Sequence, residues 1–230
     1  MAHVSPRLPA IFVLGILVLS AAGCADFDPL SSWNPFSKRS DTLPGVTPPA
    51  ERIATLRELA QKGTDASTAD RERIAGELAE MIRVEDDPMI RAEIIRTLAN
   101  YPCKTTDLIL RAALEESDPD VRVAACKAWG KRGDAGAVDV LGGVLKTDTD
   151  IDVRLAATTA LGESEEPSAV AALAPALNDE DPALQYRAVL SLKQVTGKDF
   201  GNNVMRWQQY VRGETPAKPI SVAERIRQLF

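Results

Sequence analysis

Apolar residues recur along the middle of this chain at the spacing of one buried helix face, and they do so more than once. Val121, Ala124, Ala125, Ala128 and Trp129 stand at i, i+3, i+4, i+7 and i+8. Val153, Ala156, Ala157, Ala160 and Leu161 repeat that stripe one unit later. Leu184, Ala188 and Leu192 keep part of it with Arg187 and Ser191 intervening, and Ile90, Ile94 and Leu98 keep part of it around Glu93 and Thr97. Each stripe begins just after an aspartate: Asp87, Asp118, Asp150 and Asp181, at steps of 31, 32 and 31 residues. Proline follows three of them, at Pro88, Pro119 and Pro182. An aspartate accepts hydrogen bonds from the free N–H groups of a first helical turn, and proline at the first helical position forfeits no intrahelical bond. A fixed period of this length predicts stacked helical units, each too small to bury its own apolar face.

Ahead of each aspartate the pattern predicts another helix, over 68–84, 105–116, 135–146 and 168–177. Each unit is therefore a helical hairpin. Gly130 and Gly162 follow their stripes and predict left-handed helix ends there, with Asn100 at nearly the same place in the first unit. A helix over 50–62, with Ile53, Leu56, Leu59 and Ala60 on one side, is expected to cover the N-terminal end of the stack. Val204, Trp207 and Val211 mark a helix that, with Phe200, is expected to close the C-terminal end.

The pattern D-P-x-V-R-x-x-A-A-x-x-L/W-G, as it stands at 118–130 and, without its proline, at 150–162, resembles the HEAT-repeat family. The likeness is to the short HEAT-like repeats first grouped with phycobilisome lyase subunits, and it covers about residues 68–213. It implies an all-α solenoid of about four HEAT-like helical hairpins with capping helices at both ends. It also implies that Arg91, Arg122 and Arg154 tie neighbouring repeats together, a column that Gln185 breaks. The family includes scaffolds, adaptors and a few enzymes, so the fold does not fix the function.

The front of the chain reads differently. Arg7, the apolar run 11–19 and the small residues up to Gly23 have the make-up of an export signal over 1–23, too short to span a bilayer. Ala21-Ala22-Gly23-Cys24 resembles a bacterial lipobox, although Ala21 stands where leucine is usual. The resemblance implies that Cys24 becomes the mature N-terminus carrying acyl chains such as palmitate. The alternatives are ordinary cleavage after Ala22, giving a soluble exported protein, and an uncleaved anchor. Lipidation places the protein at the bacterial cell envelope; Ala25 is not the aspartate that favours inner-membrane retention in some bacteria, so the outer membrane or the periplasmic face is favoured while the choice of membrane stays open. Residues 24–49, with five prolines and no helical period, read as a tether in which Trp33 and Phe36 are apolar exceptions. Residues 214–230 read as a linker followed by a short amphipathic helix from Ser221, with Val222, Ile226, Leu229 and Phe230 near one side.

Composition narrows the chemistry. A net charge of −6 argues against nucleic acid. The only histidine is His3, inside the signal, so a processed chain has no imidazole for triads or zinc. No phosphate-cradling glycine motif occurs. The carboxylates at 115–116, 148–152 and 163–166 fall at turns, where solvated caps are the plain reading. Asp148, Asp150 and Asp152 have a spacing like a calcium loop but lack the glycine at its sixth position. Cys103 and Cys126 can be a disulfide in an exported protein or two separate thiols.

Helical angles, at about 100° per residue, place Val123 opposite the buried stripe, with Ala92, Leu155 and Tyr186 as its equivalents. The neighbouring column is Arg96, Lys127, Thr159 and Leu190. Val123, Leu155, Tyr186 and Leu190 are thus expected to form an apolar strip, on what the HEAT-repeat resemblance implies is the concave face, with Arg96 and Lys127 at its polar end, for a protein partner. No catalytic residue, metal, cofactor or small-molecule substrate is expected beyond the lipid on Cys24. The reading is a non-catalytic interaction scaffold or adaptor. Its rivals are an enzyme of the bilin-lyase type and a structural envelope spacer without a specific partner.

Overall fold

The computed structural model describes residues 47–216. The signal segment, Cys24, the tether up to Val46 and the helix expected from Ser221 lie outside the described residues. The described chain is helical throughout: α1 (Pro49–Gln61), α2 (Thr68–Arg83), α3 (Pro88–Leu98), α4 (Lys104–Ala113), α5 (Pro119–Arg132), α6 (Ala135–Thr147), α7 (Ile151–Gly162), α8 (Ala169–Leu173), α9 (Pro182–Thr196) and α10 (Val204–Val211). A 3-10 helix, Ala174–Asn178, continues α8. The expected single helix over 168–177 is thus split. Pro175 has no N–H to continue the α-helical ladder, and the backbone tightens into the 3-10 form there.

The helices form two layers. α1, α3, α5, α7 and α9 pack each on the next as an inner layer, while α2, α4, α6 and α8 form hairpins with the inner helix that follows each. This is the all-α solenoid of four hairpins, with α1 and α10 at its ends. Each hairpin's inner helix is started by the expected cap. Asp87 accepts from Met89 N (2.9 Å), Asp118 from Asp120 N (2.9 Å), Asp150 from Asp152 N (2.9 Å) and Asp181 from Ala183 N (2.7 Å). The stripe residues are the core: Ile90, Val121, Val153 and Leu184 are all fully buried. The buried surface is wider than the stripe, because an inner helix packs on both neighbours. Ile95, Cys126, Thr158 and Val189, one column over, are also fully buried.

Three polar residues inside the stripe have partners in the preceding inner helix. Thr97 Oγ1 donates to Leu56 O of α1 (3.2 Å), and Ser191 Oγ donates to Thr158 O of α7 (2.8 Å). Glu93 is paired with Arg57 of α1 (3.1 Å) and with Arg96 (3.0 Å). The two glycines have a different role from the one expected. Neither Gly130 nor Gly162 is left-handed; α5 runs on to Arg132 and ends at Gly133, with φ 63°. A Cβ on Gly130 would stand 2.8 Å from Ala160 Cβ, and one on Gly162 would stand 2.6 Å from Ser191 Cβ. These glycines let successive inner helices touch backbone to side chain.

Charged rungs cross the same interfaces. Arg91 pairs with Glu116, Arg122 with Asp148 (2.9 Å) and Arg154 with Asp179. Each carboxylate stands two residues before the next N-cap aspartate, so each rung joins one inner helix to the turn of the next hairpin. Arg91 and Arg122 also donate to the carbonyls six residues back, Glu85 O and Glu116 O (2.9 and 2.8 Å). Gln185 retains that local bond, to Asp179 O (2.7 Å). Arg52 of α1 pairs with Glu85 in the same way, which sequence reading missed. α1 is therefore an inner helix in register, Pro49 and Arg52 matching Pro88 and Arg91. Its positions equivalent to Ile90, Ile94 and Thr97 carry Glu51, Thr55 and Glu58, all exposed, so the apolar stripe does not continue on α1. At the other end Trp207 is fully buried, its Nε1 donating to Gly201 O (3.0 Å), and Phe200 meets its ring edge-on at 4.9 Å.

Candidate partner-binding groove

On the inner layer, a groove of about 470 Å³ lies between the exposed sides of α5 and α7. Val123 and Leu155 form its apolar floor together with Ala156 and Ala160. Lys127, Thr159 and Glu163 stand along it, Asp120 and Asp152 at one end, and Arg187 reaches it from α9. The register explains the assembly. Asp120, Val123 and Lys127 lie on the exposed side of α5 at i, i+3 and i+7, and Asp152, Leu155 and Thr159 are their equivalents on α7.

The strip read from the sequence is thus only partly gathered. Val123, Leu155 and Lys127 line one groove. Val123 and Leu155 do not stand free opposite the core; they are half-buried and pack against it. Tyr186 and Leu190 lie further along, on α9, where Tyr186 is 51 % exposed and Leu190 half-buried. The strip does not continue onto α3, where Ala92 is buried. Arg96 lies outside the groove and is held by Glu93. Sequence reading missed Arg187 as a groove residue, although its intrusion into an otherwise apolar stripe was the signal. It also missed Arg57, which extends the column Arg96–Lys127 onto α1. Arg57, Arg96 and Lys127 are all exposed, so the face changes from basic on α1, α3 and α5 to apolar on α9.

A larger cleft, about 600 Å³, lies between the outer helices α4 and α6. Its lining includes the Arg122–Asp148 rung, whose charges already satisfy each other. Burial alone would raise the Asp148 carboxyl, but the bonds from Arg122 and the Asp150 N–H outweigh it and hold the pKa below the usual aspartate value; Arg122 is raised in turn. Asp150 caps α7, so two of the three aspartates at 148–152 are committed to the backbone or to an arginine. Cys103 and Cys126 are separate thiols. Cys126 is fully buried, and its thiol is pushed up to about 12, first by burial and then by the nearby Asp148. Cys103 caps α4, its Sγ accepting from Thr106 N at 3.5 Å.

A family model for HEAT repeats matches residues 74–162 and 142–202, together more than half the chain. The chain belongs to the HEAT-repeat family. HEAT repeats generally serve as protein-interaction scaffolds, and the hairpins joined by arginine rungs are this chain's version of the HEAT stack. No curated protein matches the chain. The HEAT assignment covers the groove completely, since its lining runs from Asp120 to Arg187.

Proposed function

We propose that this HEAT-repeat protein is a non-catalytic scaffold, exported and held at the bacterial envelope by a lipid on Cys24, and that its inner-layer groove takes a protein segment. The observation that carries the binding site is the combination at α5–α7 of a half-buried apolar floor with charges of both signs along its rim. Such a surface favours a peptide with an apolar side to bury and polar groups to orient. Support for a non-catalytic role comes from groups outside the groove: Asp148 and Asp150 are engaged structurally, and Cys126 is buried with its thiol pKa pushed up. For the anchor, support is the segment Ala21-Ala22-Gly23-Cys24 after an apolar run. Acyl chains contribute about 0.8 kcal/mol per buried CH₂, so more than one chain fixes the protein to a bilayer.

Fractionation and affinity purification test both parts. The natural chain is expected in membranes with one partner in near-equal amount, and Cys24→Ser in the soluble fraction. Val123→Glu with Leu155→Glu is expected to keep the protein in membranes and lose the partner. Retention of that partner by the double variant would rule the groove out, and membrane recovery of Cys24→Ser would rule the lipid out.

A further inference from the structure

α9 is the last inner helix among the described residues, and its free side is unevenly covered by them. α10 packs on it and Val189 is buried, but Tyr186 remains 51 % exposed and Leu190 half-buried. The described chain ends close by. Gln208 Nε2 of α10 donates to Leu177 O (2.9 Å) and to Asn178 Oδ1 (3.0 Å), at the turn that leads into α9. Glu214 N–H still returns to Gln209 O (2.9 Å), so the chain leaves from the last turn of α10, beside that same turn.

The C-terminal segment of the sequence has matching chemistry. After the four residues 217–220, Val222, Ile226, Leu229 and Phe230 stand at i, i+4, i+7 and i+8, one face of a helix, with Arg225 and Arg227 flanking it. A helix this short is not stable alone in water and needs a host surface. Four residues reach about 14 Å. Tyr186 is five residues along α9 from Asp181, a rise of about 7 Å. Charge agrees with position: Lys218, Arg225 and Arg227 stand against a single acid, Glu224, while the turn offers Glu180 and Asp181.

We infer that residues 221–230 dock as an amphipathic helix on the free side of α9, placing their apolar face on Tyr186 and Leu190 and their arginines near Glu180 and Asp181. The inference does not depend on the scaffold reading. It leaves the α5–α7 groove open and withdraws the α9 half of the strip from any partner until the segment is displaced.

Cysteine pairing in the full chain tests it. Tyr186→Cys with Leu229→Cys is expected to close an intramolecular disulfide under mild oxidation at least tenfold faster than Leu108→Cys with Leu229→Cys, since Leu108 is exposed on the outer helix α4. Equal rates for the two pairs, or a disulfide joining two copies, would overturn it. Hydrogen exchange provides an independent reading without new cysteines. Amides of 222–230 are expected to exchange at least tenfold more slowly than an open peptide and to lose that protection in Tyr186→Glu. Protection that arises only when another protein is added would assign the surface to a partner and contradict the inference.

Discussion

At Gly162 an added methyl group would stand 2.6 Å from Ser191 Cβ and Oγ, whereas at Gly76 nothing lies within 4 Å. Both are helical, and alanine is favoured over glycine in a helix by about 1 kcal/mol. At Gly76 that preference acts alone, so Gly76→Ala is expected to raise stability by about 0.5–1 kcal/mol in thermal melts. At Gly162 overpacking, at about 1–3 kcal/mol, exceeds it, and Gly162→Ala is expected to lower stability. The Arg122–Asp148 rung gives a second prediction. Its side chains are 14 % and 10 % exposed, so removing one partner leaves a largely buried charge. Asp148→Asn is expected to cost about 2 kcal/mol at pH 7, below the ~3–5 of a fully buried pair. Because folding lowers the Asp148 pKa, its contribution is complete above the ordinary value of 3.8 and fades as pH falls through the lowered one. Urea titrations are expected to show a constant gap between the two proteins from about pH 6 to 8 that narrows below 3.8.

Among the elements, the ends of the stack behave differently from its middle. A solenoid's repeats contact only their neighbours, so damage at one end stays there. Trp207→Ala removes the largest buried side chain of the C-terminal end, a change that costs about 3–5 kcal/mol in a packed core. Hydrogen exchange is expected to show α9 and α10 opening while α3 to α5 stay protected. The four hairpins are legible in the sequence because their signals are local: an aspartate cap, a proline and a 3.6-residue stripe. α1 is legible as a helix but not as a register-matched inner helix. Glu51, Thr55 and Glu58 erase the stripe at the end of the stack, and only the Arg52–Glu85 rung reveals the register. The glycines mislead for the complementary reason. Whether a glycine ends a helix or admits a neighbour depends on the next helix, about 30 residues away, and the residues beside it do not record that.

For the molecule as a whole, the groove is built by residues of α5, α7 and α9 together, and one-dimensional patterns do not contain that. Helical angles find Val123, Leu155 and Lys127. They overstate the strip's exposure because they do not include the neighbouring helices, and Val123 and Leu155 in fact pack against the core. They also join Tyr186 to the groove, although it belongs to the free side of the last inner helix. The resulting column of residues runs from basic at Arg57, Arg96 and Lys127 to apolar at Tyr186 and Leu190. On the scaffold reading proposed above, the molecule needs no catalytic group. It needs a rigid face, supplied by the arginine rungs and the close glycine contacts, and a means of being held where its partner is.

The most direct measurement is site-specific photo-crosslinking in intact cells, with the reactive group placed once at Leu155 in the groove and once at exposed Leu108 on the outer layer. The account predicts one discrete adduct with a single protein from position 155 and none of that species from position 108. The same adduct from both positions, or none from position 155 in a folded, membrane-bound protein, would contradict a groove that recruits a partner.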